Sequence, residues 1–317
     1  MRNMRLKRII RIAAAVLLSA GVLMLSGCAE IKITHPLGTD KLLEINDTSC
    51  TMGTAKARLL EAKTEYENAE DSVLWSRTIG NITLSQYVKN TVEDEMKRYT
   101  AAQVMSKNLT VFISDEELRS AEISANELLD QFGQRFNMGL YDITYEDVVD
   151  LYIKRTYYNK VYEKLSENIG MQISEADTKA IKINYVFIPV SDGVEIAEKM
   201  RNEMLGGYDF EEVCQKYNYV PSMDVTQVKG EMSAAFDNNA FALRDNEISE
   251  IVETRDGYYI INCLEDYMVS ESIANKNRMI SEGKRERFNQ AYNDFAKSAT
   301  LRFNSGEWDK IDVSLME

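Results

Sequence analysis

Side chains able to make and break bonds are scarce in this sequence. It has one histidine, His35, and four cysteines, Cys28, Cys50, Cys214 and Cys263. No C-x-x-C pair and no histidine–cysteine cluster occurs, so metal ligation has nothing to build on. Cys214 follows Phe210 and Val213 and precedes Tyr217 at helical spacing, and Cys263 ends an apolar strand-like run. Both read as small core residues, with a Cys214–Cys263 bridge left open. Cys28 is different. It closes Leu25-Ser26-Gly27-Cys28, directly after the apolar run Ile12–Leu25, and Arg2, Arg5, Lys7, Arg8 and Arg11 come before that run. At 14 residues the run is short for a bilayer span and right for the core of a signal peptide.

The Leu-Ser-Gly-Cys ending resembles the lipobox of bacterial lipoproteins. There the cysteine thiol receives a diacylglycerol and becomes the new N-terminus. The resemblance implies a signal peptide at 1–27, lipidation at Cys28, a tether at 28–41, and a body anchored to the membrane outside the cytoplasm. The alternative, Ile12–Leu25 as a permanent anchor, leaves the body on the same side. With Cys28 lipidated, three cysteines remain, and an odd number argues against a disulfide framework.

The stretch Lys182–Glu265 organises the rest of the chain. Lys182–Val190 is an apolar strand-like run stopped by Ser191-Asp192-Gly193. A helical segment follows, then Gly207-Tyr208-Asp209-Phe210 at a second helix start. Next come Met232-Ser233-Ala234-Ala235-Phe236, Ala240-Phe241-Ala242-Leu243, and finally Gly257-Tyr258-Tyr259-Ile260-Ile261. Arg255-Asp256-Gly257 is a hairpin turn between Ile251–Thr254 and the last run. The two bracketing strands are therefore expected side by side in one small antiparallel sheet.

In that order and spacing the pieces resemble a parvulin-type (PpiC, rotamase) peptidyl-prolyl isomerase domain. Prolyl isomerisation calls for no nucleophile and no cofactor. Its barrier of about 18–20 kcal/mol comes from amide resonance. It falls when the proline ring is held in an apolar, water-excluding slot that favours the twisted amide. The resemblance implies that Met232 and Phe236 form that slot, although an i, i+4 apolar pair on a short helix is otherwise a core feature. Family members usually carry histidines in the first and last strands, and Tyr185 and Tyr259 occupy those positions here. A family acid or cysteine would fall near Tyr219 or Val220. The glycine-rich segment is absent, and Met223–Lys229 reads as a shortened loop. The resemblance thus implies a proline-binding module of weak or no isomerase activity, in which the two tyrosines could hydrogen-bond each other.

Ahead of this module, Leu42–Asp47 reads as a strand ending in a turn. Four helices follow, from about Met52, from Thr83, from Ser114 and from Thr144. Ser114-Asp115-Glu116-Glu117 is a capping box, with Leu118, Ile123 and Leu128-Leu129 behind it. Tyr141, Tyr145, Tyr152, Tyr157, Tyr158 and Tyr162 could line a peptide groove but suit half-buried helix seams better. After the module, Glu271–Ala299 is a charged helix with Ile273, Met279, Ile280, Phe288, Tyr292 and Phe295 as its apolar stripe. Leu301–Phe303 and Trp308–Val313 read as a hairpin across Asn304-Ser305-Gly306, with Leu42–Ile45 as sheet partner.

The expected architecture is α+β. A helical lobe is built from 42–180 and 269–317, and the parvulin-like antiparallel-sheet domain, 181–268, is inserted between them. That layout resembles the SurA/PrsA group of extracytoplasmic foldases, which implies binding of unfolded or proline-containing exported polypeptides. A working isomerase and a non-catalytic scaffold are the alternatives. The formal charge is −14. Without residues 1–27 the chain holds 32 basic against 51 acidic residues, or −19, so nucleic acid is a poor partner.

Overall fold

The structure is a computed structural model that describes residues 37–69 and 75–317. Cys28, the signal segment and most of the tether lie outside the described residues. Strand β1 (Lys41–Ile45) forms because Leu42, Leu43 and Ile45 have a core to enter, and all three are buried. Asn46, in the left-handed region at φ 51°, turns the chain into β2 (Thr48–Thr51). Helix α1 (Met52–Ala69) follows directly, and a two-stranded ribbon, β3 (Thr78–Ile79) and β4 (Ile82–Thr83), leads to α2 (Leu84–Asn108). The Thr83 side chain accepts the Gln86 N–H and starts α2. Helices α3 (Asp115–Arg135) and α4 (Tyr145–Leu165) both open on complete capping boxes, Ser114 with Glu117 and Thr144 with Asp147.

Further along come β5 (Ala180–Pro189), α5 (Val194–Leu205), α6 (Phe210–Lys216), β6 (Ser222–Val228) and α7 (Ala234–Ala240). Then follow β7 (Val252–Glu253), β8 (Gly257–Glu265), α8 (Val269–Ala296), β9 (Leu301–Phe303) and α9 (Ser305–Trp308). The chain divides into two compact units, one made of residues up to Glu167 together with Glu286–Glu317, the other of Asn168–Arg285.

The larger unit is the helical lobe. Its antiparallel sheet has the order β2–β1–β9, with Leu43 opposite Phe303 and Ile45 opposite Leu301. The expected partnership of the C-terminal strand with Leu42–Ile45 is therefore present. Leu59, Leu60, Val92, Met96, Phe132, Leu151 and Trp308 fill one continuous core. Phe288 of α8 is buried against Tyr158 and Tyr162, at ring-centroid distances of 4.9 and 5.7 Å. Tyr158 and Tyr162 of α4 thus sit at a helix seam, whereas Tyr145 is exposed.

Several local expectations are corrected here. The C-terminal hairpin does not form. After β9 the Asn304 side chain accepts the Glu307 N–H and starts α9 instead. Asn serves turn and helix cap equally well. Thr48–Thr51, beyond the expected turn, is a strand in its own right. The buried stripe of α3 is Ala121, Ala125, Leu128 and Phe132, while Leu118 and Ile123 face water. Alanines at these positions let the helix approach its neighbours closely. Ile273 is likewise exposed.

The smaller unit is a four-stranded antiparallel sheet of order β6–β5–β8–β7. Met223–Val228 is its edge strand rather than a loop, paired to β5 from Ala180↔Val228 to Tyr185↔Ser222. Asp224 takes a left-handed φ of 53° where that register shifts, a conformation Asp tolerates. β5 and β8 lie side by side, with Phe187 opposite Tyr259 and Val186 opposite Ile260. Alternation divides the sheet cleanly. Val186, Ile188 and Ile260 pack on one cluster with α5 and α6. Ile181, Ile183 and Ile261 pack on another with Phe236 of α7.

Gly257 starts β8 under a close approach of backbone. A Cβ there would stand 2.2 Å from the Ile188 carbonyl oxygen and 2.8 Å from the Phe187 ring. The oxygen is main chain and cannot swing aside. Gly257→Ala is therefore expected to destabilise the smaller unit by about 3 kcal/mol. Chemical denaturation should show its transition, and not that of the larger unit, moving to lower denaturant.

Candidate functional site

Phe236 is the centre of the site. It is fully buried, on the first turns of α7, where the Ser233 side chain caps the helix by accepting the Phe236 N–H at 3.3 Å. Tyr185 and Phe187 stand two apart on β5 and share a face, and the register sets Tyr259 opposite Phe187. The rings meet edge to face. Tyr185 and Tyr259 lie 5.3 and 5.2 Å from Phe236, with interplanar angles of 82° and 84°. Phe187 lies 4.9 Å from Tyr259, and Tyr185 lies 6.0 Å from Tyr259. Such pairs add about 0.5–1.5 kcal/mol each beyond their burial.

Met232 packs half-buried against the same cluster, as do Val225, Phe241 and Leu243. It is not on the helix with Phe236, because α7 begins only after the Ser233 cap. Met232, Phe236, Tyr185 and Tyr259 are thus brought together. The tyrosines meet through their rings, and no hydrogen bond joins their hydroxyls among the described residues. Phe187 was missed in the sequence, although its place two residues after Tyr185 puts it on the same face.

The electrostatics suit holding rather than proton transfer. Burial pushes the Tyr259 hydroxyl above its ordinary range, with Tyr185 and Asp256 adding to the effect, so it stays a donor at neutral pH. Burial pushes the Cys214 thiol up to about 12 and the Cys263 thiol up to about 11. Both are free and buried, so the disulfide left open does not form and neither is a thiolate nucleophile. Where the family acid or cysteine was sought, Val220 is 93% exposed. Tyr219 donates to Asp192 Oδ2 at 2.6 Å, and burial together with that bond pushes its hydroxyl up to about 12. Tyr219 packs with Val186 and Ile260, in a different cluster from Phe236. The assembly is an apolar cluster of packed rings that carries the hydroxyls of Tyr185 and Tyr259.

Residues 194–265 match the family model for the rotamase, PPIC-type PPIASE domain. The chain carries a PPIC-type rotamase domain. Over 167 residues it is 30% identical to a protein named foldase protein PrsA from Halalkalibacterium halodurans, covering 46% of this chain and 48% of that one. The chain thus matches about half the length of this curated relative. Among solved structures, a peptidylprolyl isomerase (PrsA) from Bacillus cereus aligns at 19% identity and a TM-score of 0.35 over 68% of this chain and 85% of that one. NmPin, the parvuline of Nitrosopumilus maritimus, aligns at 21% identity and a TM-score of 0.22 over 27% and 96%. The SurA-like chaperones PEB4 and Cj1289 of Campylobacter jejuni appear at 12% identity and a TM-score of 0.25 over 83% and 98%. Among the described residues of the rotamase-bearing chain, no helix is long and apolar enough to cross a membrane.

Proposed function

We propose that this protein is a membrane-anchored extracytoplasmic foldase or chaperone whose rotamase domain binds proline-bearing segments of exported polypeptides with little or no isomerase turnover. The supporting observation is the apolar ring cluster around Phe236, in which tyrosines stand at both positions that the family usually gives to histidine. A proline ring fits such a slot by burial alone. Turnover asks more, namely groups that favour the twisted amide over the planar one, and Tyr185 and Tyr259 engage each other and Phe236 through ring faces and edges. The similarity to a foldase of the PrsA name supports the wider role. Anchoring rests on the lipobox-like Leu25-Ser26-Gly27-Cys28.

The test is a prolyl-isomerisation assay beside a client-aggregation assay on the full chain. The reading expects isomerisation near background and clear suppression of aggregation. Fast turnover that Phe236→Ala abolishes would refute the weak-activity half and leave a working isomerase. For the anchor, Cys28→Ala is expected to release the protein from the membrane fraction. Retention of Cys28→Ala in membranes, or an intact Met1–Gly27 segment by mass spectrometry, would overturn lipidation.

A further inference from the structure

Met232 lies outside α7, so helix geometry does not fix its distance from Phe236. The turn before it must do so. Gly230, in that turn, has φ 91°, a left-handed conformation that glycine adopts without strain. Its N–H donates to Asp237 Oδ2 at 2.7 Å. The turn's other side-chain bond, Val228 N–H to Glu231 Oε2, is long at 3.4 Å and exposed. Asp237 follows Phe236 directly, and its own N–H is held by the Ser233 carbonyl at 2.9 Å. One carboxylate therefore ties the turn that carries Met232 to the helix that carries Phe236.

That carboxylate is costly where it stands. Asp237 is 8% exposed, and Oδ1 is buried with no hydrogen-bond partner among the described residues. A buried polar atom left unpaired costs free energy that a shape-matched apolar side chain would not. Selection for stability alone would not favour it there. The bond it accepts from the Gly230 N–H is, on the other hand, the short one of the turn, the other being long and exposed.

We infer that Asp237 is a positioning residue of the proline slot, holding Met232 against the Phe236 cluster through the Gly230 N–H. The inference rests on the proline-slot reading for its functional consequence but not for its geometry, and two readouts keep the halves apart. In full-length protein labelled with 13C-methyl methionine, the Met232 methyl signal is assigned by its loss in Met232→Leu. Asp237→Ala removes the acceptor, while Asp237→Asn keeps an oxygen for the Gly230 N–H. The probe peptide is succinyl-Ala-Ala-Pro-Phe p-nitroanilide.

Asp237→Ala is expected to move the Met232 methyl out of its wild-type position and to weaken peptide binding about tenfold. Asp237→Asn is expected to keep both within about twofold of wild type. Asp237→Leu, which keeps the bulk and lacks the acceptor, is expected to behave like Asp237→Ala, as loss of bulk packing would not predict. An unmoved methyl and unchanged affinity in Asp237→Ala would overturn the inference. So would an Asp237→Asn protein that loses as much as Asp237→Ala. If Asp237→Ala fails to fold the unit, Asp237→Leu decides, a displaced methyl counting for the clasp and a wild-type methyl against it. If wild-type protein binds no proline peptide, the slot reading falls by itself, and the Met232 methyl in the variants still decides the clasp.

Discussion

Trp308→Ala is expected to destabilise the larger unit by about 3–5 kcal/mol, the usual cost of emptying a large aromatic site in a core. A domain's whole stability is about 5–15 kcal/mol, so the loss is a large share of it. Trp308 is 1% exposed and packs in the same core as Leu42, Leu59 and Val92, residues more than 200 positions earlier in the chain. The segment that follows it is held by two lysines of the opening helices. Lys89 Nζ donates to the Ile311 carbonyl at 2.9 Å and Lys63 Nζ to the Val313 carbonyl at 3.2 Å. Emptying the Trp308 site therefore loosens a closure made from both ends of the sequence. Denaturant titration followed by the fluorescence of Trp75, the other tryptophan, should show a lowered midpoint for this unit alone. An unchanged midpoint would mean that the C-terminal segment is an ornament on a lobe complete without it.

That closure was legible in outline and not in detail, and the difference is physical. Leu42, Leu43 and Ile45 announce a buried strand, and a buried strand must find partners for its backbone, so a returning strand was expected and β9 supplies it. Helix starts were legible because caps are local. Ser114 with Glu117, Thr144 with Asp147 and Asp209 each declare a start within four residues. The piece after Asn304 was not legible, since its asparagine suits a hairpin turn and an N-cap alike, and only the tertiary burial of Trp308 selects the helix. The α3 stripe was misread for a related reason. Large apolar residues draw attention, whereas Ala121 and Ala125 are buried because they are small.

The site divides in the same way. Tyr185, Tyr259, Met232 and Phe236 could be picked out by order and spacing, because strand alternation and the β5–β8 pairing put them on one face. Phe187 obeys the same alternation and went unread. Asp237 could not have been found, since its value lies in a hydrogen bond to Gly230 seven residues away across a turn. The edge strand β6 was hidden by its polar content and by the left-handed Asp224, which together look like a loop.

Phe236→Ala is expected to have the larger effect on function. The ring is fully buried and is the one on which Tyr185 and Tyr259 both rest edge-on. Its removal should cost the smaller unit about 3–5 kcal/mol by cavity formation, and each lost ring pair adds to that. On the proposed reading of Phe236 as the floor of a proline slot, peptide binding should disappear, because the tyrosines also lose the ring they rest on. The larger unit has its own core and its own closure, so its transition should not move. On the proposed division of labour, the variant should then still suppress aggregation of heat-unfolded citrate synthase, measured by light scattering. Phe236→Leu, which keeps the site apolar and part filled, separates the two roles. It should restore much of the stability while peptide binding stays weak, since no ring remains to meet the tyrosine edges. If Phe236→Ala and Phe236→Leu both abolish aggregation suppression while the larger unit stays folded, clients are held in the rotamase domain and the helical lobe is only its support.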